Sequence, residues 1–98
     1  MDREQVIATL RAHEEELKSS GILGLALFGS LARNEATAES DVDLMAEFDP
    51  AARLSLFGLS RLRDRLSEIL SAPVDLVQQK TLKPRVKVRA ERDSVRAF

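Results

Sequence analysis

The spacing of apolar side chains in the first twenty residues predicts an amphipathic helix. Apolar residues three to four positions apart lie on one side of a helix, and here they are Val6, Ile7, Leu10 and Leu17. Asp2 is suited to cap this helix, and Gln5 stands at the matching position of a capping box. We therefore predict one helix that runs to about Lys18 and ends at Gly21.

Three later stretches have the pattern of β-strands. Ile22 to Phe28 is a nearly unbroken apolar run bounded by glycines, which predicts a strand buried on both faces. In residues 41–48 apolar side chains occupy every second position, so one face enters a core and the other presents Asp41 and Asp43. Residues 73–78 predict a further strand, in which Asp75 stands among apolar neighbours.

Two helices are predicted between the strands. Residues 30–33 start a short helix directly after the first strand, and it fades in the polar stretch Asn34–Ser40. Asp49-Pro50 starts a longer helix that reaches about Leu70, although Ser55 is an alternative capping residue.

The end of the chain has a mixed pattern. Pro84 opens a short helix that reaches about Glu91, but alternating valines in the same stretch also fit a strand; we prefer the helix. Residues 93–98 are predicted to return as a short edge strand. The alternation of helices and strands places the fold in the α/β (α+β) class, with three to four strands packed against helices.

Composition narrows the class of protein. The 98 residues are sufficient for a single domain spanning residues 1–98, and 44% apolar with 32% charged residues is typical of a globular chain. Because there is no cysteine, disulfides, thiol catalysis and zinc–thiolate sites are excluded. No segment resembles a signal peptide or a membrane span, so we expect a cytoplasmic protein without a membrane partner.

Charge is distributed unevenly along the chain. Residues 1–79 carry 8 basic and 14 acidic side chains, whereas residues 80–98 carry 7 basic and 2 acidic. The basic tail fits either a solvated positive face or a contact with a triphosphate, an acidic partner or nucleic acid. No aromatic residue is interleaved with these cations before Phe98, so direct nucleic-acid binding is not expected.

The candidate chemistry lies in three short segments. Gly29-Ser30 closes an apolar run and opens a helix, an arrangement whose free backbone N–H groups favour phosphate. Asp41 and Asp43 are two residues apart on a strand, so their carboxylates project to one face and suit a hard cation such as Mg²⁺. Asp75 is the third carboxylate if its strand lies beside theirs.

Two of the candidate residues have plain structural alternatives. Asp75 in a buried strand would be costly without a partner or ion, but at a sheet edge it would simply face solvent. His13 is the only histidine and could act as a base, yet its place on the apolar stripe favours a partly buried packing residue.

These segments resemble the minimal nucleotidyltransferase family, the polymerase-beta-like group that forms the antitoxin half of HEPN/MNT toxin–antitoxin pairs. The likeness rests on Leu-Phe-Gly-Ser-Leu-Ala-Arg-Asn-Glu-Ala at 27–36, Ser-Asp-Val-Asp-Leu at 40–44 and Pro-Val-Asp-Leu-Val at 73–77. It covers most of the chain and implies a nucleotidyltransferase-like mixed sheet. Asn34 stands where the family usually has glycine; it departs only mildly, because asparagine also tolerates left-handed backbone.

The resemblance also implies roles for individual residues. Gly29 and Ser30 would hold the phosphates of ATP, with Arg33 adding positive charge. Asp41 and Asp43 would bind two Mg²⁺ ions, and Asp75 would share a metal and help to deprotonate the attacking hydroxyl.

The implied activity is transfer of AMP from ATP to a tyrosine of a partner HEPN toxin, a ribonuclease. The chain contains no tyrosine, so a tyrosine acceptor must come from another molecule. One alternative is an antitoxin that neutralises the toxin by binding alone. Another is a nucleotidyltransferase acting on a small molecule or RNA, which we rank lowest because such enzymes generally need an additional acceptor-binding domain.

Overall fold

A computed structural model describes residues 2–35 and 41–98 of the chain. The element order is α1 (Arg3–Ala12), α2 (Glu14–Ser19), β1 (Ile22–Phe28), α3 (Gly29–Ala32), β2 (Val42–Phe48), α4 (Leu56–Leu70), β3 (Val74–Gln78), α5 (Pro84–Asp93) and β4 (Val95–Arg96), with 3₁₀ turns at Pro50–Ala52 and Gln79–Thr81. Residues 36–40 of the polar stretch in which the short helix is predicted to fade lie outside the described residues. None of the described helices is long and apolar enough to cross a membrane.

The strands form a mixed sheet in the order β3-β2-β1-β4. β1 pairs antiparallel with both β2 and β4, whereas β2 and β3 run parallel. This confirms the predicted fold class, and it confirms residues 93–98 as the source of an edge strand.

The core lies on one face of the sheet, beneath α1, α2 and α4. Leu25 and Leu27 of β1 pack there with Leu44 of β2, and each is at most 1% exposed. Apolar side chains of the helices cover them, notably Leu10, Leu17 and Leu66. Arg65 of α4 donates two hydrogen bonds to Glu16 of α2, at 2.7 and 2.8 Å, and so joins two of the covering helices.

The opposite face is only partly covered. α5 crosses it, and Glu91 and Ser94 line a cavity of about 210 Å³ together with Ala26 and Met45 of the sheet. Because side chains alternate along a strand, Asp43 and Met45 of β2 both project to this face.

The first predicted helix is interrupted. Asp2 and Gln5 form the expected capping box, but α1 ends at Ala12 and α2 starts at Glu14. His13 lies between them with backbone angles of −106° and 15°, and its Nδ1 is 2.9 Å from the Thr9 carbonyl oxygen. The prediction of one continuous helix is therefore wrong, although its buried stripe is correct.

Two other details differ from the sequence predictions. β1 is not buried on both faces: Leu23 is 47% exposed, at a register irregularity between Ile22 and Gly24. Asp49 caps only the short 3₁₀ turn, whereas Ser55 accepts a hydrogen bond from the Gly58 N–H (3.0 Å) and caps α4. The alternative start of this helix was the correct one.

Candidate active site

The parallel pairing of β2 and β3 places Asp43 and Asp75 side by side. Asp43 is the register partner of Asp75, as Val42 is of Val74. Residues in register on neighbouring strands project to the same face of a sheet. Both carboxylates therefore lie on the face opposite the main core.

Asp41 immediately precedes β2 and is exposed. Burial raises the pKa of the Asp43 carboxyl, and the negative charges of Asp75 and Asp41 raise it further. Arg33 acts in the opposite direction and lowers it. Asp41, Asp75 and Arg33 are thus close enough to Asp43 to change the pKa of its carboxyl.

Gly29 brings the backbone against one of these carboxylates. Its φ is +75°, in the left-handed region where glycine carries no steric cost. A Cβ built on Gly29 would overlap a carboxylate oxygen of Asp43 and lie 3.0 Å from its Cγ. Only glycine satisfies both conditions, so the turn and the carboxylate are fitted to each other.

The turn leads directly into α3. The preceding residue, Phe28, is extended and its side chain caps none of the helix N–H groups. The first N–H groups of a helix have no carbonyl partner within the helix, so they are suited to an anion. Ser30 is half-buried in this first turn, and its carbonyl accepts a hydrogen bond from the Glu35 N–H at 2.8 Å.

Arg33 and Asn34 close the short helix. Arg33 Nε lies 3.1 Å from a carboxylate oxygen of Glu35, with both side chains largely exposed. Asn34 has φ of +58°, which confirms that the asparagine occupies left-handed backbone.

Asp75 does not have the surroundings that its sequence context predicts. β3 is an edge strand, and Asp75 is exposed between the buried Val74 and Leu76. The argument that burial makes this carboxylate costly is therefore wrong, and the alternative of an exposed position at a sheet edge is correct. Its place beside Asp43 follows from the strand register instead.

Among residues 2–35 and 41–98, no three Asp, Glu or His side chains are arranged closely enough to hold a metal ion. The meeting of Asp41, Asp43 and Asp75 around Mg²⁺ stays a prediction. Their chemistry nevertheless fits magnesium, because all the donors are carboxylate oxygens. A divalent cation would also relieve the repulsion that raises the pKa of Asp43.

Two apolar residues lie on the same face of the sheet as Asp43 and Asp75. Met45 and Val77 are register partners that follow Asp43 and Asp75 by two positions, so they form the floor beside the carboxylates. The two-residue period of the strands could have identified them. His13 does not join this group, because it lies between helices that cover the other face.

A model of the nucleotidyltransferase domain matches residues 10–97. The chain belongs to this family. A Methanocaldococcus jannaschii protein assigned as a protein adenylyltransferase is 41% identical over 88 residues, which cover 88% of both chains. The protein adenylyltransferase MntA of Thermococcus cleftensis is 36% identical over 81 residues, which cover 82% of this chain and 80% of MntA.

Solved structures place the nucleotidyltransferase chain within the minimal branch of its family. One structure, assigned to a minimal nucleotidyltransferase, superposes with a TM-score of 0.82 at 32% identity over 97% of this chain and 95% of that one. The fold is also similar to one chain of a Shewanella oneidensis complex of a tri-AMPylated HEPN toxin with MNT antitoxin, with a TM-score of 0.67, 17% identity, and coverage of 93% of this chain and 70% of that one. The predicted membership of the minimal nucleotidyltransferase family is confirmed.

Proposed function

We propose that this chain is an antitoxin that transfers AMP from ATP to a tyrosine of a cognate HEPN toxin. The observation that carries the proposal is the register pairing of Asp43 with Asp75. Asp41 precedes Asp43 by two residues, and the Gly29 turn lies against the Asp43 carboxylate. Relatives named protein adenylyltransferases and the fold of the AMPylated toxin complex support the substrate and the partner.

The turn binds the nucleotide in this proposal. The backbone N–H groups at Gly29 and Ser30 hold phosphate oxygens, and Arg33 adds positive charge nearby. Asp41, Asp43 and Asp75 are the residues that would hold Mg²⁺, which would stabilise the charge on the phosphates and would lower the pKa of a bound hydroxyl.

The acceptor side needs a base and a hydroxyl. The hydroxyl oxygen forms a bond to the α-phosphorus of ATP, the bond from that phosphorus to pyrophosphate breaks, and Asp75 accepts the hydroxyl proton. Asp75 is exposed, so an incoming side chain can reach it. Because this chain has no tyrosine, the tyrosine belongs to the partner.

Coexpression with a cognate HEPN toxin tests the activity. We expect intact-mass spectrometry to show AMP on the toxin with the wild-type chain, and none with Asp41→Asn or Asp43→Asn. Asp64→Asn is the matched control, since it neutralises an exposed carboxylate on α4 and should leave the transfer unchanged.

Undiminished labelling by Asp41→Asn and Asp43→Asn would contradict the proposed site. If those variants lose labelling but neutralise the toxin as well as wild type at equal concentration, the alternative of a binding antitoxin is correct. Labelling of RNA or a small molecule in place of the toxin would identify another acceptor class.

A further inference from the structure

Helix α5 carries a group of cations that the rest of the described chain does not neutralise. These cations are Lys83 at its cap, Arg85, Lys87 and Arg89. None forms an ion pair with any of residues 2–35 or 41–98. In the other helices most cations are paired, as Lys18 is with Glu14 at 2.8 Å and Arg65 with Glu16 at 2.7 Å.

These charges oppose the stability of the helix that bears them. Lys83 and Lys87, and likewise Arg85 and Arg89, are four residues apart, a spacing at which like charges repel. The first turn of α5 has no acidic residue and no side-chain cap, although the N-terminal end of a helix favours negative charge. Helix stability therefore does not account for this pattern of cations.

An exposed apolar side chain lies among the cations. Lys83, Arg85, Val86 and Arg89 line a surface cleft of about 340 Å³, which we term the α5 cleft. Val86 is 47% exposed. An apolar centre with a charged rim is the usual composition of a protein–protein contact.

The cleft belongs to an element that adjoins the candidate active site. α5 contacts α3, the helix that starts at Gly29, and it leads into β4. Val95 of β4 pairs with Leu27 of β1, two residues before Gly29. The C-terminal end of α5 therefore lies near the phosphate-binding turn, and the α5 cleft lies on the first two turns of the same helix.

We propose that the α5 cleft docks an acidic surface of the AMP-accepting protein, with an apolar side chain of that protein against Val86. The inference rests on the proposed function. A protein surface fits better than nucleic acid, because the cations lack interleaved aromatic rings on which bases could stack.

Charge reversal in the cleft tests the proposal. We expect R85E/R89Q to weaken binding of the coexpressed toxin roughly tenfold in titration calorimetry at low salt. Binding of ATP by the free chain should stay unchanged, and wild-type affinity for the toxin should fall as salt is raised. R61E/R63Q on α4 makes the same change in charge at another exposed helix and should bind the toxin normally.

Misfolding would not explain a loss of binding by R85E/R89Q, because glutamate in the first turn of α5 suits the helix dipole. A melting temperature equal to or above that of wild type is therefore expected. Unchanged affinity for the toxin, or an equal loss in R61E/R63Q, would overturn the proposal. Loss of binding to a single-stranded RNA oligonucleotide, with toxin binding retained, would overturn it in favour of a nucleic-acid surface.

The proposed activity can fail independently of this inference. A toxin that binds through α5 but carries no AMP would refute the transferase function and leave the docking surface supported. Conversely, a labelled toxin whose binding does not depend on Arg85 and Arg89 would refute the docking surface alone.

Discussion

Two carboxylates on opposite sides of the sheet show how differently the two regions are built. Glu16, on the helix-covered side, receives two hydrogen bonds from Arg65, and this contact lowers the pKa of its carboxyl. Asp43, on the other side, is partly buried beside Asp75 and Asp41, and its pKa is raised. One region pairs opposite charges, whereas the other holds like charges together.

This difference between the two sides of the sheet follows from the alternation of side chains along β2. Val42, Leu44 and Ala46 of β2 face the core and are at most 3% exposed, while Asp43 between them faces the other way. Adjacent residues of one strand therefore serve stability and chemistry separately. Repulsion among carboxylates is tolerated because the apolar face stabilises the sheet.

Leu44→Asp should have the largest effect on stability, because it places a carboxylate on the apolar face of β2. Leu44 is fully buried, so a carboxylate there would be desolvated without a partner and would cost about 5 kcal/mol of unfolding free energy. A 98-residue domain has little more than this to lose. Urea unfolding followed by circular dichroism measures the change.

The adjacent substitution is the control for that measurement. Asp43→Asn removes a charge from the other face and should leave the unfolding free energy equal or higher. A stable Leu44→Asp variant would show that the core face is less essential than its burial indicates.

Gly29→Ala should have a smaller effect on stability. The substitution places a Cβ against the Asp43 carboxylate at φ of +75°, so we expect a loss of about 1–3 kcal/mol. Asn34→Gly is the matched control at the other left-handed position of this turn, where we expect a change within about 0.5 kcal/mol. Equal stability of Gly29→Ala and wild type in thermal and urea unfolding would refute the close approach.

The smallest expected effect is the titration of Asp43. Its folded-state pKa lies above the unfolded value, so its contribution to stability declines as pH rises between those two values and is constant above them. Carboxyl ¹³C NMR should show the raised pKa, and Asp75→Asn should lower it. A pKa of Asp43 that is unaffected by Asp75→Asn would show that the two carboxylates do not interact.

Local patterns in the sequence determined most of the elements. Capping residues and apolar spacing predicted the start of α1, the extent of β1 and the course of β2, because these signals act within a few residues. The Gly29 turn and the aspartates at positions 41 and 43 were identified in the same way. The resemblance to the minimal nucleotidyltransferase family came from those residues and was confirmed.

Tertiary structure alone decided how the segments meet. The pairing of β3 with β2 sets Asp75 beside Asp43, and no local signal in residues 73–78 specifies that register. The edge position of β3 decided that Asp75 is exposed, and the break at His13 divided a helix whose apolar stripe is continuous in sequence. Such outcomes depend on contacts between residues far apart in the chain. Those contacts set the free-energy differences between competing packings, and the spacing of residues within a short segment does not determine them.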